Sequence, residues 1–386
     1  MTLKIGRGAA APPFLVMDVI AAANARQAAL PPGGPKVIRM EVGQPGTGAP
    51  AGALAAARAA LGSGDPLGYT EAFGRRSLRE RIAAHYRDWY DLAVPVDRVA
   101  VTVGASGGFP LAFLAAFDPG DRVALAAPFY PPYVNILSAL GMTPVALEVG
   151  PETRFQPNVA ALDRLDPPPD GLIVASPCNP AGTMLHLDEL TEIAAWCDRR
   201  GVRLISDEIY HGLHYNSPIA TAAALSPHAV VVNSFSKYFS MTGWRIGWLL
   251  LPEDLVRPVE CLAQNLFISA PHISQIAAEA AFECGVELEG NVARYRRSRD
   301  LLLRELPRAG FDRLSPAEGA FYLFADITER SDDSVAFCAR MLAEVGVAAT
   351  PGVDFDRTRG NRFVRFSYCG PEGDMAEAAE RLRGWR

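Results

Sequence analysis

The stretch SFSKYFSMTGWRIGW, Ser234 to Trp248, carries one lysine in a chain that uses lysine very sparingly. The 386 residues include 37 lysines and arginines together, yet Lys4, Lys36 and Lys237 are the only lysines. Arginine stands at nearly every position where a positive charge alone is enough. A lysine amine can form an imine with an aldehyde, whereas a guanidinium cannot. The sequence therefore predicts that Lys237 is kept for covalent chemistry.

The composition indicates a globular protein with ample apolar content for a core. Hydrophobic residues make up 49% of the chain and the formal net charge is −6, so neither nucleic acid nor an anionic membrane is expected as a partner. No apolar run approaches the roughly 20 residues of a membrane span, and the N-terminus lacks the layout of a signal peptide. The six cysteines form no C-x-x-C pair, which predicts reduced thiols and a cytoplasmic location.

Short apolar runs alternate with helical stretches over about residues 98–252. Most of these runs are almost continuously apolar, which is typical of parallel strands buried on both faces of a sheet. Apolar residues at helical spacing from Leu187 to Cys197 predict a helix over 187–199. The pattern predicts an α/β fold, with a mostly parallel twisted sheet flanked by helices in a large domain and a smaller α+β domain. The predicted strands are 98–103, 122–127, 143–149, 171–176, 202–206, 229–234 and 246–251.

The character of the sequence changes after about residue 280. A long charged helix is predicted at roughly 272–306, and two further strands and two further helices follow it. We therefore predict three parts of the chain. They are an N-terminal arm with part of the small domain (1–44), a large α/β domain that holds the ligand site (45–280), and a small C-terminal α+β domain (281–386).

Five predicted strands are followed by polar, aromatic or glycine-rich segments. In open α/β sheets, ligands bind beyond the carboxyl ends of the strands, where the loops and helix N-termini meet. The convergence of five such segments therefore predicts a single ligand site. The segments are GASGG (104–108), PFYPPY (128–133), PCNPAG (177–182), DEIY (207–210) and FSK (235–237).

Two parts of the predicted site are suited to phosphate. GASGG begins a helix, so the amides of Ala105 and Ser106 and the helix dipole form an anion site, although an ordinary tight turn has the same pattern. Arg245 lies beside the next strand and offers a planar fork that suits phosphate. The glycine spacings of phosphate loops and of dinucleotide sites are both absent.

Asp207 ends a buried strand, where an unpaired carboxylate is costly. It is expected either to cap a turn or to meet a buried cation. His211 and His214 form an H-x-x-H pair, but no third ligand accompanies them and no metal site is predicted. A phosphate anchor, a buried acid, the aldehyde-capturing Lys237 and a second anion clamp together describe a site for pyridoxal 5′-phosphate.

The motifs of the chain resemble those of the class I aminotransferases, the fold-type-I enzymes that use pyridoxal 5′-phosphate. The resemblance covers nearly the whole chain. It implies a transaminase that moves an α-amino group between an L-amino acid and a 2-oxo acid by a ping-pong Schiff-base mechanism. The motifs, in the order of the family, are EVGQPG (41–46), CNPAGT (178–183), SDEIY (206–210), SFSK with TGWRIGW (234–248), EGAFYLF (318–324) and RFVRFSY (362–368).

The resemblance implies a role for each residue that contacts the cofactor ring. Lys237 is expected to form the Schiff base and to shuttle the proton of the substrate Cα. Asp207 is expected to pair with the pyridine nitrogen and keep it protonated. Tyr210 and Asn179 are expected to donate to the 3′-oxygen of the ring, and Tyr130 to stack on its face.

Further matches concern the phosphate and the substrate. Tyr69 resembles the tyrosine that reaches a phosphate across a dimer interface, which implies a homodimer with shared sites. Arg365 resembles the arginine that grips the substrate α-carboxylate, with Gly43 and Asn179 nearby. Taken alone, Tyr69 and Tyr130 also fit plain core packing, and Arg365 a surface salt bridge. The phosphate cradle is expected to include Ala105, Ser106, Ser234 and Arg245.

The sequence departs from the family in the segment PGVDFD (351–356), where many members read P-G-S-x-F-G. Val353 replaces the serine and Asp356 the glycine, in a loop that lies near the substrate entrance in the family. Ser106 stands where some members with acidic substrates have lysine, and no further cation is assigned to a dicarboxylate. Phe14 and the aromatic FYPPY segment point to an apolar side-chain pocket, and the donor and acceptor stay open.

Two other functions are weighed against transamination. A β-lyase acting on cysteine conjugates or cystathionine shares the early chemistry but expels a β-substituent. A regulator that binds the cofactor without catalysis joins this domain to a DNA-binding module, whereas only about 40 non-basic residues precede EVGQPG here. The MTGWRIGW context favours the transaminase.

Overall fold

Helices and strands alternate along most of the chain, as the sequence predicts. The computed structural model describes residues 3–385, and none of the helices in that range is both long and apolar enough to cross a membrane. The α-helices are α1 (Leu15–Ala29), α2 (Ala51–Gly62), α3 (Arg76–Tyr90), α4 (Gly104–Ala116), α5 (Pro132–Ala139), α6 (Val159–Leu162), α7 (Leu187–Arg200), α8 (Glu253–Leu266), α9 (His272–Ala281), α10 (Gly285–Glu305), α11 (Ser334–Val345) and α12 (Glu372–Arg383). The β-strands are β1 (Ile38–Arg39), β2 (Val99–Thr102), β3 (Arg122–Ala127), β4 (Thr143–Glu148), β5 (Gly171–Ala175), β6 (Arg203–Asp207), β7 (Val230–Ser234), β8 (Gly247–Leu250), β9 (Tyr322–Asp326), β10 (Val347–Ala348), β11 (Thr350–Pro351) and β12 (Phe363–Ser367).

The central sheet has seven strands in the order β2-β8-β7-β6-β5-β3-β4. β8 runs antiparallel to β2 and β7, and the other pairings are parallel. Successive residues of β7 enter different hydrophobic clusters, with Val230 and Val232 in one and Val231 in the other. Because side chains alternate between the faces of a strand, both faces of this sheet are covered. The predicted fold class is confirmed.

A smaller sheet is antiparallel and has the order β11-β12-β9. Arg365 on its central strand pairs with Thr350 on one side and Phe324 on the other. β1 pairs in parallel with β10, so the N-terminal segment joins this C-terminal part of the structure. The limits predicted for the domains, at residues 44 and 280, stay a prediction.

The charged helix predicted at 272–306 is two helices, α9 and α10. The chain turns between them at Phe282, whose ring packs 5.3 Å from that of Phe235 and 5.0 Å from that of Phe239. Packing of this half-buried ring against the other two rings favours the turn. Gly285 then begins α10, and its low helix propensity suits an end rather than the middle of a helix.

Candidate active site

One cavity of about 400 Å³ gathers most of the predicted site residues. Strands β5 and β6 end at its wall with Ala175 and Asp207, and α4 begins there. This edge of the sheet is where ligands of open α/β folds bind. The predicted site residues that line the cavity are Gly43, Ala105, Ser106, Tyr130, Asn179, Asp207, Tyr210, Lys237, Arg245 and Arg365.

The amine of Lys237 is buried in this cavity. Its Nζ donates a hydrogen bond to the carbonyl oxygen of Gly43 at 2.6 Å and lies 5.6 Å from the ring centre of Tyr210. Burial lowers the pKa of Lys237 to about 8, and the charges of Arg365 and Arg245 act in the same direction. A share of the amine is therefore uncharged near neutral pH, as a nucleophile or a base requires.

Asp207 caps a turn, which is one of the two expectations left open by its sequence context. Its Oδ1 accepts from the backbone N–H of Ile209 at 3.0 Å, which caps the turn after β6. Its Oδ2 accepts from the hydroxyl of Tyr133, and Lys237 lines the same cavity. Burial raises the pKa of Asp207 to about 6, against the opposing effect of these hydrogen bonds. The carboxylate therefore stays mainly ionised at neutral pH.

The turn before α4 is shaped around the guanidinium of Arg245. Nη1 of Arg245 donates to the carbonyl oxygen of Thr242 at 2.8 Å, and Nη2 lies 3.5 Å from Oγ of Ser106. Gly104 has a φ of +66°, and a Cβ atom there would lie 2.6 Å from Nη2. The first amides of α4 have no partner within the helix. Free amides and a guanidinium at one place form an anion cradle.

Arg365 lies inside the cavity wall and is not a surface salt bridge. Nη1 donates to Oδ1 of Asn179 at 2.8 Å, and Nη2 donates to Oγ1 of Thr350 at 3.1 Å and to the carbonyl oxygen of Glu41. Within residues 3–385 its Nε is buried without a hydrogen-bond partner. These partners are uncharged oxygens, so the guanidinium is free to form an ion pair with an anionic ligand.

Tyr322 connects three of the predicted residues and was missed by the sequence reasoning. Its hydroxyl lies 2.7 Å from that of Tyr210, and Cζ of Arg365 lies 4.5 Å from its ring centre. A Cβ atom on Gly43 would lie 1.8 Å from the Tyr322 hydroxyl, so only glycine fits opposite it. The EGAFYLF motif contains this tyrosine and was the available signal.

Two predicted residues do not line the cavity. Oγ of Ser234 lies 2.9 Å from Oγ of Ser236 and 3.1 Å from the carbonyl oxygen of Ile246, and its hydroxyl is buried behind the wall. Ser236, which the sequence reasoning treated only as a small residue, lines the cavity instead. Tyr69 is 83% exposed and lies outside the cavity.

Comparison with known proteins gives the same family along nearly the entire chain. The family model described as "Aminotransferase class I and II" matches residues 35–382. A valine–pyruvate aminotransferase from Mycobacterium tuberculosis is 51% identical over 100% of this chain and 99% of its own. The chain belongs to the class I and II aminotransferases. It is therefore a transaminase that uses pyridoxal 5′-phosphate to move an amino group between an amino acid and a 2-oxo acid.

Solved structures of aminotransferases superpose closely on this chain. The crystal structure of an aminotransferase from Mycobacterium tuberculosis has a TM-score of 0.97 and 51% identity, and covers 100% of this chain and 99% of its own. The aspartate aminotransferase of Thermus thermophilus with maleate has a TM-score of 0.92 and 31% identity, with 99% of both chains covered. The predictions of family, enzyme class and cofactor are confirmed.

A further part of the aminotransferase cavity is formed by helix α1, which the sequence motifs do not predict. Only Phe14, just before this helix, was noted as a hint of an apolar pocket. The ring of Phe14 meets that of Tyr130 edge-on at 5.9 Å. No local pattern marks the helix as a cavity wall, because it lies far from the other site residues in sequence. The α1 segment contributes Phe14, Val16, Met17 and Ile20.

Gly104→Ala is expected to weaken cofactor binding by about tenfold. The new Cβ atom displaces the Arg245 guanidinium, and a side chain at a φ of +66° is strained as well. Titration of the cofactor-free protein with pyridoxal 5′-phosphate, followed by absorbance, measures the change. Gly243→Ala is the matched control, because a Cβ atom there has nothing within 4 Å. Equal affinities of the two variants would contradict this account of the cradle.

The lowered pKa of Lys237 predicts a stability change with pH in the cofactor-free protein. Between pH 8 and 10.5 the folded chain holds fewer protons at Lys237 than the unfolded chain does. The free energy of unfolding of the parent should therefore rise relative to that of Lys237→Met through this window, by up to about 3 kcal/mol. Urea denaturation of both proteins across the window measures it. A constant difference between them would refute the lowered pKa.

Proposed function

We propose that this aminotransferase takes amino acids with apolar side chains, valine among them, and delivers the amino group to pyruvate. The observation that carries the proposal is the apolar wall formed by Phe14, Met17 and Ile20. Among the described residues that line the cavity, the cations are Lys237, Arg245 and Arg365. Each of them has a proposed role other than binding a carboxylate in the substrate side chain. The name of the M. tuberculosis relative supports the same substrate pair.

The cavity fits pyridoxal 5′-phosphate at both ends of the molecule. At one end, the cradle at Gly104 and Arg245 suits the phosphate, with Ala105 and Ser106 supplying backbone amides. At the other end, Asp207 presents a carboxylate oxygen for the pyridine nitrogen. A carboxylate that stays ionised beside that nitrogen favours its protonated form.

Other cavity residues hold the ring and set its hydrogen bonds. In this proposal Tyr210 and Asn179 donate to the 3′-oxygen and Tyr130 covers the ring face, and all three line the cavity. Tyr322 supports this arrangement, since its hydroxyl lies 2.7 Å from that of Tyr210. This hydrogen bond fixes the position of the Tyr210 hydroxyl beside the ring.

Arg365 receives the α-carboxylate of the amino acid. A guanidinium binds a carboxylate through two parallel hydrogen bonds, which fixes the orientation of the substrate as well as its position. Because Asn179 already holds Nη1 of Arg365 at 2.8 Å, the fork is preorganised. The Cα–H bond of the substrate is thereby directed in the same way at each turnover.

Lys237 moves the proton that the reaction requires. When bound, pyridoxal 5′-phosphate supplies an aldehyde for the amine and a ring that accepts the electrons of the Cα–H bond. The Nζ of Lys237 takes the proton from Cα and returns it on the cofactor side. A pKa lowered to about 8 suits both directions of this transfer, because the amine is mainly charged at neutral pH while a usable share of it is uncharged.

The substrate is tested by half-reactions of the holoenzyme with single amino acids. Absorbance reports the conversion of the cofactor to pyridoxamine phosphate as each amino acid is added without a 2-oxo acid. Valine and leucine should react at least about tenfold more efficiently than aspartate, because an uncompensated carboxylate in an apolar wall is costly. A preference for aspartate or glutamate would contradict the proposal.

The same half-reactions separate transamination from β-elimination. A transaminase converts its cofactor once and then stops until a 2-oxo acid is added. Sustained release of pyruvate and ammonia from a cysteine conjugate, with no 2-oxo acid present, would instead support the β-lyase. Addition of pyruvate after the first conversion should restore the original absorbance if pyruvate is the acceptor.

The active enzyme is proposed to be a homodimer in which Tyr69 reaches the cavity of the other subunit. The support is the exposure of apolar side chains. Tyr69 is 83% exposed, and the side chains of Leu61, Leu266 and Ile268 are exposed as well. Exposed apolar surface of this kind is typical of an interface.

A subunit-mixing experiment tests this shared site. Tyr69→Ala and Lys237→Ala are each expected to be nearly inactive. If Tyr69 serves the neighbouring cavity, hybrids of the two variants contain one intact site, and activity should return to about a quarter of the parent value in an equal mixture, where about half of the dimers are hybrids with one of two sites intact. Inactive hybrids, or a fully active monomer by ultracentrifugation, would contradict the proposal.

The cytoplasm is the proposed location. All six cysteines are free, and four of them are buried, which suits a reducing compartment.

A further inference from the structure

Asp354 caps a helix that lies far away in the sequence. Its Oδ1 accepts from the backbone N–H of Leu15 at 2.9 Å, and its Oδ2 accepts from that of Val16 at 3.2 Å. These are the first amides of α1, which have no partner within the helix. Phe14, at the N-cap position, provides no side-chain hydrogen bond itself. A carboxylate at this end is also favoured by the helix dipole.

Packing alone holds α1 weakly. Of its 15 residues, Val16 and Ala23 are buried. The second half of the helix is fastened through Gln27, whose Oε1 accepts from the backbone N–H of Val37 at 2.8 Å. The first half, which faces the cavity, is held by its two hydrogen bonds to the carboxylate of Asp354.

Asp354 itself stands on a fixed part of the structure. It is 7% exposed and follows β11, where Thr350 pairs with Arg365 in the register of the small sheet. The PGVDFD segment therefore joins the strand of the proposed carboxylate-binding arginine to the helix that forms a wall of the cavity. Asp356 of the same segment fastens the following turn through the backbone N–H groups of Thr358 and Arg359.

We propose that Asp354 is a positioning residue for substrate specificity. By holding the start of α1 against the cavity, it places Phe14, Met17 and Ile20 where they contact the side chain of the amino acid. The inference rests on the proposed function, because it takes the cavity as the site for an apolar amino acid. A long side chain reaches this wall and a methyl group reaches little of it, so the effect of Asp354 should grow with side-chain size.

Asp354→Ala is tested in half-reactions of the holoenzyme with leucine and with alanine. Loss of the cap lowers the fraction of molecules with α1 in place, so half-saturation for leucine should rise about fivefold. For alanine it should rise less than about twofold, and the maximal rate should stay within about twofold for both. Asp354→Asn, whose amide oxygen still accepts one bond, should give an intermediate value for leucine.

Asp333→Ala is the matched control. Asp333 caps α11 through the backbone N–H groups of Val335 and Ala336, each at 3.0 Å, and lines no part of the cavity. The Asp333→Ala variant loses two hydrogen bonds from backbone N–H groups to a carboxylate, as Asp354→Ala does. Its half-saturation values for leucine and alanine should match those of the parent. Two results would overturn the proposal. One is a half-saturation value that rises more for leucine than for alanine in Asp333→Ala, and the other is an equal rise for both amino acids in Asp354→Ala.

Amide hydrogen exchange gives a readout that needs no activity. In the holoenzyme, exchange at residues 15–18 should become faster in Asp354→Ala and stay unchanged in Asp333→Ala. Unchanged exchange at these residues in Asp354→Ala would show that Asp354 does not hold α1 in place. If the parent enzyme reacts with neither leucine nor alanine, the proposed substrate is wrong and the specificity role falls with it, whereas the exchange result still decides whether Asp354 holds α1.

Discussion

The buried amine of Lys237 needs a rigid backbone behind it and open space in front of it. The backbone is fixed by rings on the other side of the turn: the ring of Phe235 lies 4.9 Å from that of Phe239, 5.1 Å from that of Trp248 and 5.3 Å from that of Phe282. Phe235, Phe239 and Trp248 are buried by these contacts, and Lys237 faces the cavity. An amine held in this way does not have to be ordered again each time a ligand binds.

The charges of the cavity are arranged for anions. Lys237, Arg245 and Arg365 line it together with the single carboxylate of Asp207, among the residues that the structure describes. The cations repel one another, which contributes to the lowered pKa of Lys237. Anionic ligand groups would relieve that repulsion on binding. The attraction is therefore built into the protein beforehand, as in other preorganised sites.

Local spacing in the sequence was enough to predict the sheet and the group of residues at its edge. Asp207 and Lys237 were expected together because the carboxyl ends of neighbouring strands meet at one place, and the family motifs added Arg365. The contact between Asp354 and Leu15 joins residues 339 positions apart, and no local pattern encodes such a contact. The position of Tyr322 likewise depends on how the small sheet is docked against the large one. Tertiary packing decided these features.

The pairing of β1 with β10 has a consequence for how the protein is made. Gly43 follows β1, and Arg365 lies on β12 close to the end of the chain. The two meet at one cavity, so almost all of the polypeptide has to be synthesised before that cavity is complete. The large sheet can form earlier, since its strands all lie between Val99 and Leu250. Binding competence thus comes last in biosynthesis, because a chain that ends before β12 lacks Arg365.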